Sequence, residues 1–190
     1  MKTRKKSMRL SQYDYSKNGY YFVTICNKDR TCCFGDVVNG DMVLNNAGTM
    51  VDDMWNRLSK KFDHISIDHY IIMPKHIHGI IIIGSGNTTG EHMGSPLHHD
   101  GTNANVGADP RACPNEKTMG MSQIIQWFKT MTTNKYMHGV RAYDWKPFDK
   151  KLWQRSFYDH IIRNECELNK ICEYIINNPG EWENDELYEA

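Results

Sequence analysis

The segment His76-Ile77-His78-Gly79-Ile80-Ile81-Ile82-Ile83 constrains the fold more than any other stretch of the chain. Its isoleucines predict a strand, and the unbroken run at 80–83 lacks the alternation of a half-exposed strand. Both of its faces must therefore be covered. Residues two apart on a strand share a face, so His76 and His78 point the same way while Ile77 packs on the opposite side. Two imidazoles in the middle of an apolar strand need a reason, because a buried polar ring is costly unless it has partners. A shared metal ion is one such reason; two ordinary strand histidines are the other reading of the bare triplet.

The rest of the chain supplies elements to cover that strand. Residues 20–26, Tyr-Tyr-Phe-Val-Thr-Ile-Cys, are aromatic and β-branched and predict a strand. Asn39-Gly40 between two short apolar runs at 37–44 predicts a tight hairpin. Ala47, Met50, Val51, Met54, Trp55, Leu58 and Phe62 recur at three- and four-residue spacing, giving an amphipathic helix over 46–62. A strand over 65–73 precedes Pro74, which belongs at a turn because it cannot donate to a central ladder. Further helices are expected over 122–137 and 165–178, the latter stopped by Pro179-Gly180, with an extended aromatic segment over 152–162 between them. This order predicts an α+β domain over 1–190, a few-stranded antiparallel sheet with helices on one face. Residues 84–117, with six Gly and three Pro, are expected to form a flexible insertion loop whose His92, His98 and His99 face solvent. Residues 181–190 are expected to form an acidic tail.

Composition narrows the function by exclusion. The apolar run at 80–83 is far short of the roughly 20 residues a membrane helix needs, and the basic N-terminus is followed by no apolar signal core. A cytoplasmic protein is expected, with its six cysteines as free thiols, since no CxxC pair is present. The 23 basic and 23 acidic residues cancel, but five acids and no base follow Asn178, so the body carries a net +5 (23 less 18). Lys2, Arg4, Lys5, Lys6 and Arg9 form one basic cluster; Arg141, Lys146, Lys150, Lys151, Arg155 and Arg163 form a second. Such clusters can track a phosphate backbone or can be plain solvated faces. No phosphate-cradling glycine loop occurs. A third histidine two residues after His78 is absent, since position 80 is Ile, and no Asp follows closely.

A nucleophile and a third donor come from the last helix. Tyr174 and Asn178 are one turn apart on one face, with Lys170 a turn earlier, and this stripe is offset from the apolar Leu168, Ile171 and Ile175. A phenol, of pKa about 10, attacks a phosphodiester poorly unless a cation offsets the charge developing on the phosphate. Two histidines and an amide oxygen could hold such a cation. Covalent attack by tyrosine keeps the phosphodiester energy for rejoining. A wet hydroxyl on an amphipathic helix is the plainer reading of Tyr174.

Three pieces in this order resemble the REP-associated tyrosine transposases, of the single-tyrosine HUH transposase family: Met73-Pro74-Lys75-His76-Ile77-His78-Gly79-Ile80, then 152–164 (Leu-Trp-Gln-Arg-Ser-Phe-Tyr-Asp-His-Ile-Ile-Arg-Asn), then Tyr174-Ile175-Ile176-Asn177-Asn178-Pro179. Phe22-Val23-Thr24-Ile25 with Arg30 and Phe34-Gly35 is similar to the same family's opening. The resemblance implies a ferredoxin-like antiparallel sheet with helices packed on it. It implies Mg²⁺ or Mn²⁺ on His76 and His78, Asn178 near the metal, and Tyr174 as nucleophile through a 5′-phosphotyrosine. It implies single-stranded DNA bearing REP-like hairpins as partner, in a bacterial, nucleoid-associated protein that works as a monomer or homodimer. Arg155, Gln154, Lys170, Trp153 and Arg163 are the expected DNA contacts, and His160 an outer support of the metal site. Tyr158 is the rival nucleophile; structural roles for Arg155, Gln154, His160 and Trp153 stay open. A domesticated hairpin-binding protein that does not cut is the alternative function. A zinc-stabilised structural module is a third, weakened by the absence of a cysteine cluster.

Overall fold

The computed structural model describes residues 17–84 and 119–184. The elements run β1 (Gly19–Cys26), β2 (Gly35–Val38), β3 (Asp41–Leu44), α1 (Asn46–Asn56), α2 (Leu58–Lys61), β4 (Ile65–Ile72), β5 (His76–Ile83), α3 (Met121–Ala142), β6 (Tyr158–Ile162) and α4 (Glu165–Asn177). A 3-10 turn, Trp182–Asn184, follows. Strands β4-β5-β1-β6 form one sheet, antiparallel at each pairing. With β2-β3 as a separate two-stranded ribbon, the remaining order β1-α1-β4-β5-α3-β6 is the ferredoxin-like split βαβ arrangement. The ribbon turns where Asn39 (φ 54°) and Gly40 (φ 84°) take the positive φ that a tight primed turn demands.

The expectation of helices on one face is corrected. Tyr21, Val23, Ile25, Ile77, Ile81 and Ile83 pack with α1 and α3, through Val51, Trp55, Ile124 and Phe128. Phe22, Ile80 and Ile162 pack on the other face with Ile175, Leu168 and Ile171 of α4. The isoleucine run of β5 is thus buried from both sides, and α4 is what covers the second. Gly79 permits the tightest approach on the first: a β-carbon there would lie 2.5 Å from the Trp55 ring.

Two further boundaries differ from the sequence reading. The helix expected over 46–62 breaks at Arg57 into α1 and α2. The extended segment over 152–162 is a strand only from Tyr158; earlier it touches the sheet at a single bridge, Asn27 with Trp153. Most of the 84–117 insertion and the last six residues lie outside the described residues. Among the described residues no disulfide joins Cys26, Cys32, Cys33, Cys166 and Cys172, and no helix is long and apolar enough to cross a membrane.

Candidate functional site

The α4 face of the sheet carries the residues of interest. His76 and His78 lie side by side on β5, ring centroids 4.4 Å apart, with 0% and 2% of their surface exposed. The pairing register sets Thr24 of β1 opposite His78, and Thr24 Oγ1 lies 2.9 Å from His78 Nδ1. On the other side of the ring, the Tyr174 hydroxyl lies 3.2 Å from His78 Nε2. Phe22 stacks on His78 (5.5 Å, 21°) and meets the Tyr174 ring edge-on at 6.1 Å. The imidazole of His78 is therefore fixed in position and in rotation.

Burial, with the neighbouring His76 second, holds His78 well below the usual histidine range, so it is neutral at physiological pH. Either neutral tautomer satisfies both contacts, since each hydroxyl can donate or accept; the one with the proton on Nδ1, donating to Thr24, leaves the Nε2 lone pair facing Tyr174. A neutral imidazole whose second nitrogen is hydrogen-bonded is the form that ligates a metal.

Helix α4 is held so that Tyr174 meets His78. Asn164 caps it, accepting from the Glu167 backbone N–H. Glu167 accepts from the Arg163 backbone N–H at 2.8 Å and contacts His160 Nε2 at 2.7 Å. Those hydrogen bonds hold the Glu167 carboxyl below the usual carboxylate range. His160 thus anchors the first turn of α4 to β6. Tyr174 is 46% exposed, its ring reachable from solvent although its hydroxyl touches a buried histidine. Asn178, one turn on at the end of α4, is buried.

The remaining expected site residues separate. Arg155, Arg163 and Lys170 are exposed. Gln154 is half-buried and held through its backbone, its N–H to Cys26 O and its carbonyl accepting from Lys129 Nζ. Trp153 belongs to the core: it is 4% exposed, lies against Phe34 and Phe128, and donates its indole N–H to Thr132. A ring so enclosed has no face for a base, which corrects its place among the DNA contacts. Tyr158 meets Phe22 edge-on at 6.3 Å, on the same face as Tyr174.

Thr24, Phe22 and Trp182 surround the candidate histidines and were given no site role in the sequence reading. Trp182, within the segment expected to be a plain acidic tail, is buried with its ring 5.8 Å from that of His76 and with Lys75 Nζ over it at 5.9 Å. A tryptophan two residues after the helix-stopping Pro179-Gly180 pair was the available signal.

Comparison with known proteins bears on this arrangement at two levels. No family model matches the chain. A Haemophilus influenzae protein described as an uncharacterized protein is 35% identical over 189 residues, covering 97% of this chain and 93% of its own length. The chain belongs to that protein's family. Among solved structures, a REP-associated tyrosine transposase bound to a REP hairpin superposes with a TM-score of 0.56 at 16% identity, over 92% of this chain and 74% of that one. The two share a fold. A candidate transposase from Deinococcus radiodurans R1 overlaps more loosely, with a TM-score of 0.42 at 15% identity over 90% of this chain and 96% of that one.

Proposed function

We propose that this protein is a metal-dependent single-strand DNA transposase that cleaves and rejoins DNA near hairpins with Tyr174 as nucleophile. The observation that carries the reading is the 3.2 Å contact between the Tyr174 hydroxyl and Nε2 of a buried, neutral His78 beside His76. The family resemblance of the three motifs and the fold shared with a hairpin-bound transposase support the DNA substrate.

The donor set fits a divalent cation. His76 and His78 would hold it, with the Asn178 carboxamide as a third donor; a mixed nitrogen and oxygen set suits Mn²⁺ at least as well as Mg²⁺. When bound, such an ion polarises the scissile phosphate and offsets the charge developing on it. His78 alone would be a poor general base for the phenol. Burial holds its pKa well below the usual histidine range while that of a phenol is about 10, and a bound ion would occupy the Nε2 lone pair that faces the hydroxyl. The residues of this chain instead position the attack: Thr24 and Phe22 fix His78, and α4 delivers the hydroxyl beside it. The tyrosine oxygen gives up its proton to solvent and bonds to phosphorus as the P–O3′ bond breaks, and the departing O3′ takes a proton from solvent to end as a 3′-hydroxyl. A 5′-phosphotyrosine remains, and attack by a 3′-hydroxyl reverses the step. Tyr174 meets His78 within one chain, which supports a site completed in cis. Arg155, Arg163 and Lys170, all exposed, would make the phosphate contacts.

Labelled single-stranded oligonucleotides bearing hairpins, incubated with Mn²⁺ and run on denaturing gels, test the reading. Wild type should form a covalent adduct that Tyr174→Phe and His76→Ala both abolish. An adduct that survives Tyr174→Phe would move the nucleophile to Tyr158. Hairpin binding by wild type with no adduct in any metal would replace the enzyme with a domesticated binder.

A further inference from the structure

Between β4 and α4, away from the two β5 histidines, Asp68, His69 and Cys172 converge with ligand atoms all within 4.8 Å of one another. Neighbours on a regular strand point to opposite faces, so Asp68 and His69 should not share a partner. Here they do because β4 carries a bulge. Ile67 pairs with Ile81 and Tyr70 with Gly79, so three steps on β4 match two on β5. The extra residue leaves Ile65, Ile67, Tyr70 and Ile72 with the α1/α3 core and turns both Asp68 and His69 toward α4. Cys172 meets them from the helix, 103 residues later in the chain.

We propose that Asp68, His69 and Cys172 form a second metal site, for Zn²⁺ or an ion of similar softness, distinct from the one on His76 and His78. The donors are one carboxylate oxygen, one imidazole nitrogen and one thiolate, three protein ligands that leave a fourth position for water. Their spacing is near what a tetrahedral ion requires. Bonds of about 2.3 Å to sulfur and 2.0–2.1 Å to nitrogen put those two atoms about 3.5 Å apart, and Cys172 Sγ lies 3.5 Å from His69 Nδ1. The Asp68 Oδ1 to His69 Nδ1 distance of 2.7 Å is shorter than the roughly 3.3 Å of a tetrahedral pair. A small rotation of the partly exposed Asp68 carboxylate or of the exposed His69 opens it. Metal binding releases the thiol proton to solvent and leaves a neutral Cys-Asp-Zn²⁺ charge balance. Its consequence is positional. Glu167 and His160 hold the first turn of α4 to β6, and this ion would hold the middle of the same helix to β4, two residues before Tyr174.

Full-length protein stripped with a chelator and titrated with Zn²⁺ and Co²⁺ decides the matter, with a covalent-free readout. Wild type should take up one Zn²⁺ at this site beyond any held on His76 and His78, and Co²⁺ should produce a thiolate-to-metal charge-transfer band. The double variant His76→Ala/His78→Ala should keep both signals, while Cys172→Ser should lose the band and bind Zn²⁺ at least tenfold more weakly. His69→Ala should do the same. Circular dichroism checks that each variant folds. No charge-transfer band in wild type, or a band and stoichiometry unchanged in Cys172→Ser, would overturn the proposal. Either result leaves the Tyr174 reading standing, because adduct formation in Mn²⁺ is measured separately.

Discussion

Thr24 is the residue on which the chemistry of His78 turns. It is buried, it sits on the neighbouring strand, and its hydroxyl is the partner given to His78 Nδ1. Removing that partner leaves the imidazole free to rotate or to change tautomer, which takes the lone pair of Nε2 away from its aim. Outer partners of this kind are typically worth roughly 10–100-fold in metal affinity. Thr24→Val, nearly the same shape, should therefore weaken Mn²⁺ binding by about that factor in calorimetric titration, and Thr24→Ser should restore it. An unchanged Mn²⁺ affinity in the valine variant would mean that Thr24 only fills space. Thermal unfolding of both variants separates lost affinity from lost fold. Spacing placed the two histidines on one strand face and Tyr174 with Asn178 on one helix face, because both periodicities are local; the family resemblance, not the spacing, made them candidates for the site. Thr24 could not be placed this way, since its partner is 54 residues away and only the β1–β5 register brings them together.

Helix α4 carries the proposed nucleophile, and at this scale its first turn matters more than its apolar stripe. Glu167 gathers the Arg163 backbone N–H and His160, and these bonds depress its pKa. A carboxylate depressed in the folded state contributes stability above its unfolded pKa and loses it as pH falls through the folded value. The docking of α4 should therefore loosen in acid, below the ordinary carboxylate range, and not between neutral pH and mild alkali. Hydrogen exchange should show the Arg163 and Glu167 amides losing protection in that window ahead of the β1 and β5 amides. Glu167→Gln should show the same loss at neutral pH, with slower adduct formation because Tyr174 is held less firmly. Protection of those amides that is indifferent to both acid and the substitution would remove Glu167 as an anchor. The helix itself was legible in the sequence, from Asn164 as cap to Pro179 as stop. Its face was not: the pattern Leu168, Ile171, Ile175 says that a stripe is buried but not against which side of the sheet. The four isoleucines of β5 held that information, since a strand apolar on both faces needs a cover on each.

Across the whole molecule, charge and packing meet at the C-terminal segment, and the two can be separated by where the chain is cut. The acids at 181, 183, 185, 186 and 189 bring a body of net +5 to zero, which would weaken contact with a phosphate backbone. The same segment contains Trp182, buried against His76 and under Lys75, so removing all of it changes more than charge. Deleting 185–190 removes three acids and leaves Trp182 in place. It should raise affinity for a hairpin oligonucleotide at low salt, steepen the salt dependence, and leave the melting temperature and Mn²⁺ affinity where they were. Deleting 181–190 should add two more charges yet destabilise the fold, because loss of a buried tryptophan costs about 3 kcal/mol, and should weaken Mn²⁺ binding by uncovering His76. Full-length Trp182→Ala, with every acid retained, should reproduce that loss of stability and metal affinity without the gain in DNA affinity. If the shorter deletion left DNA affinity unchanged at low salt, the acids at 185, 186 and 189 would be solvated charge with no bearing on the DNA. If Trp182→Ala left Mn²⁺ affinity unchanged, the ring over His76 would be a core residue that happens to lie beside the site.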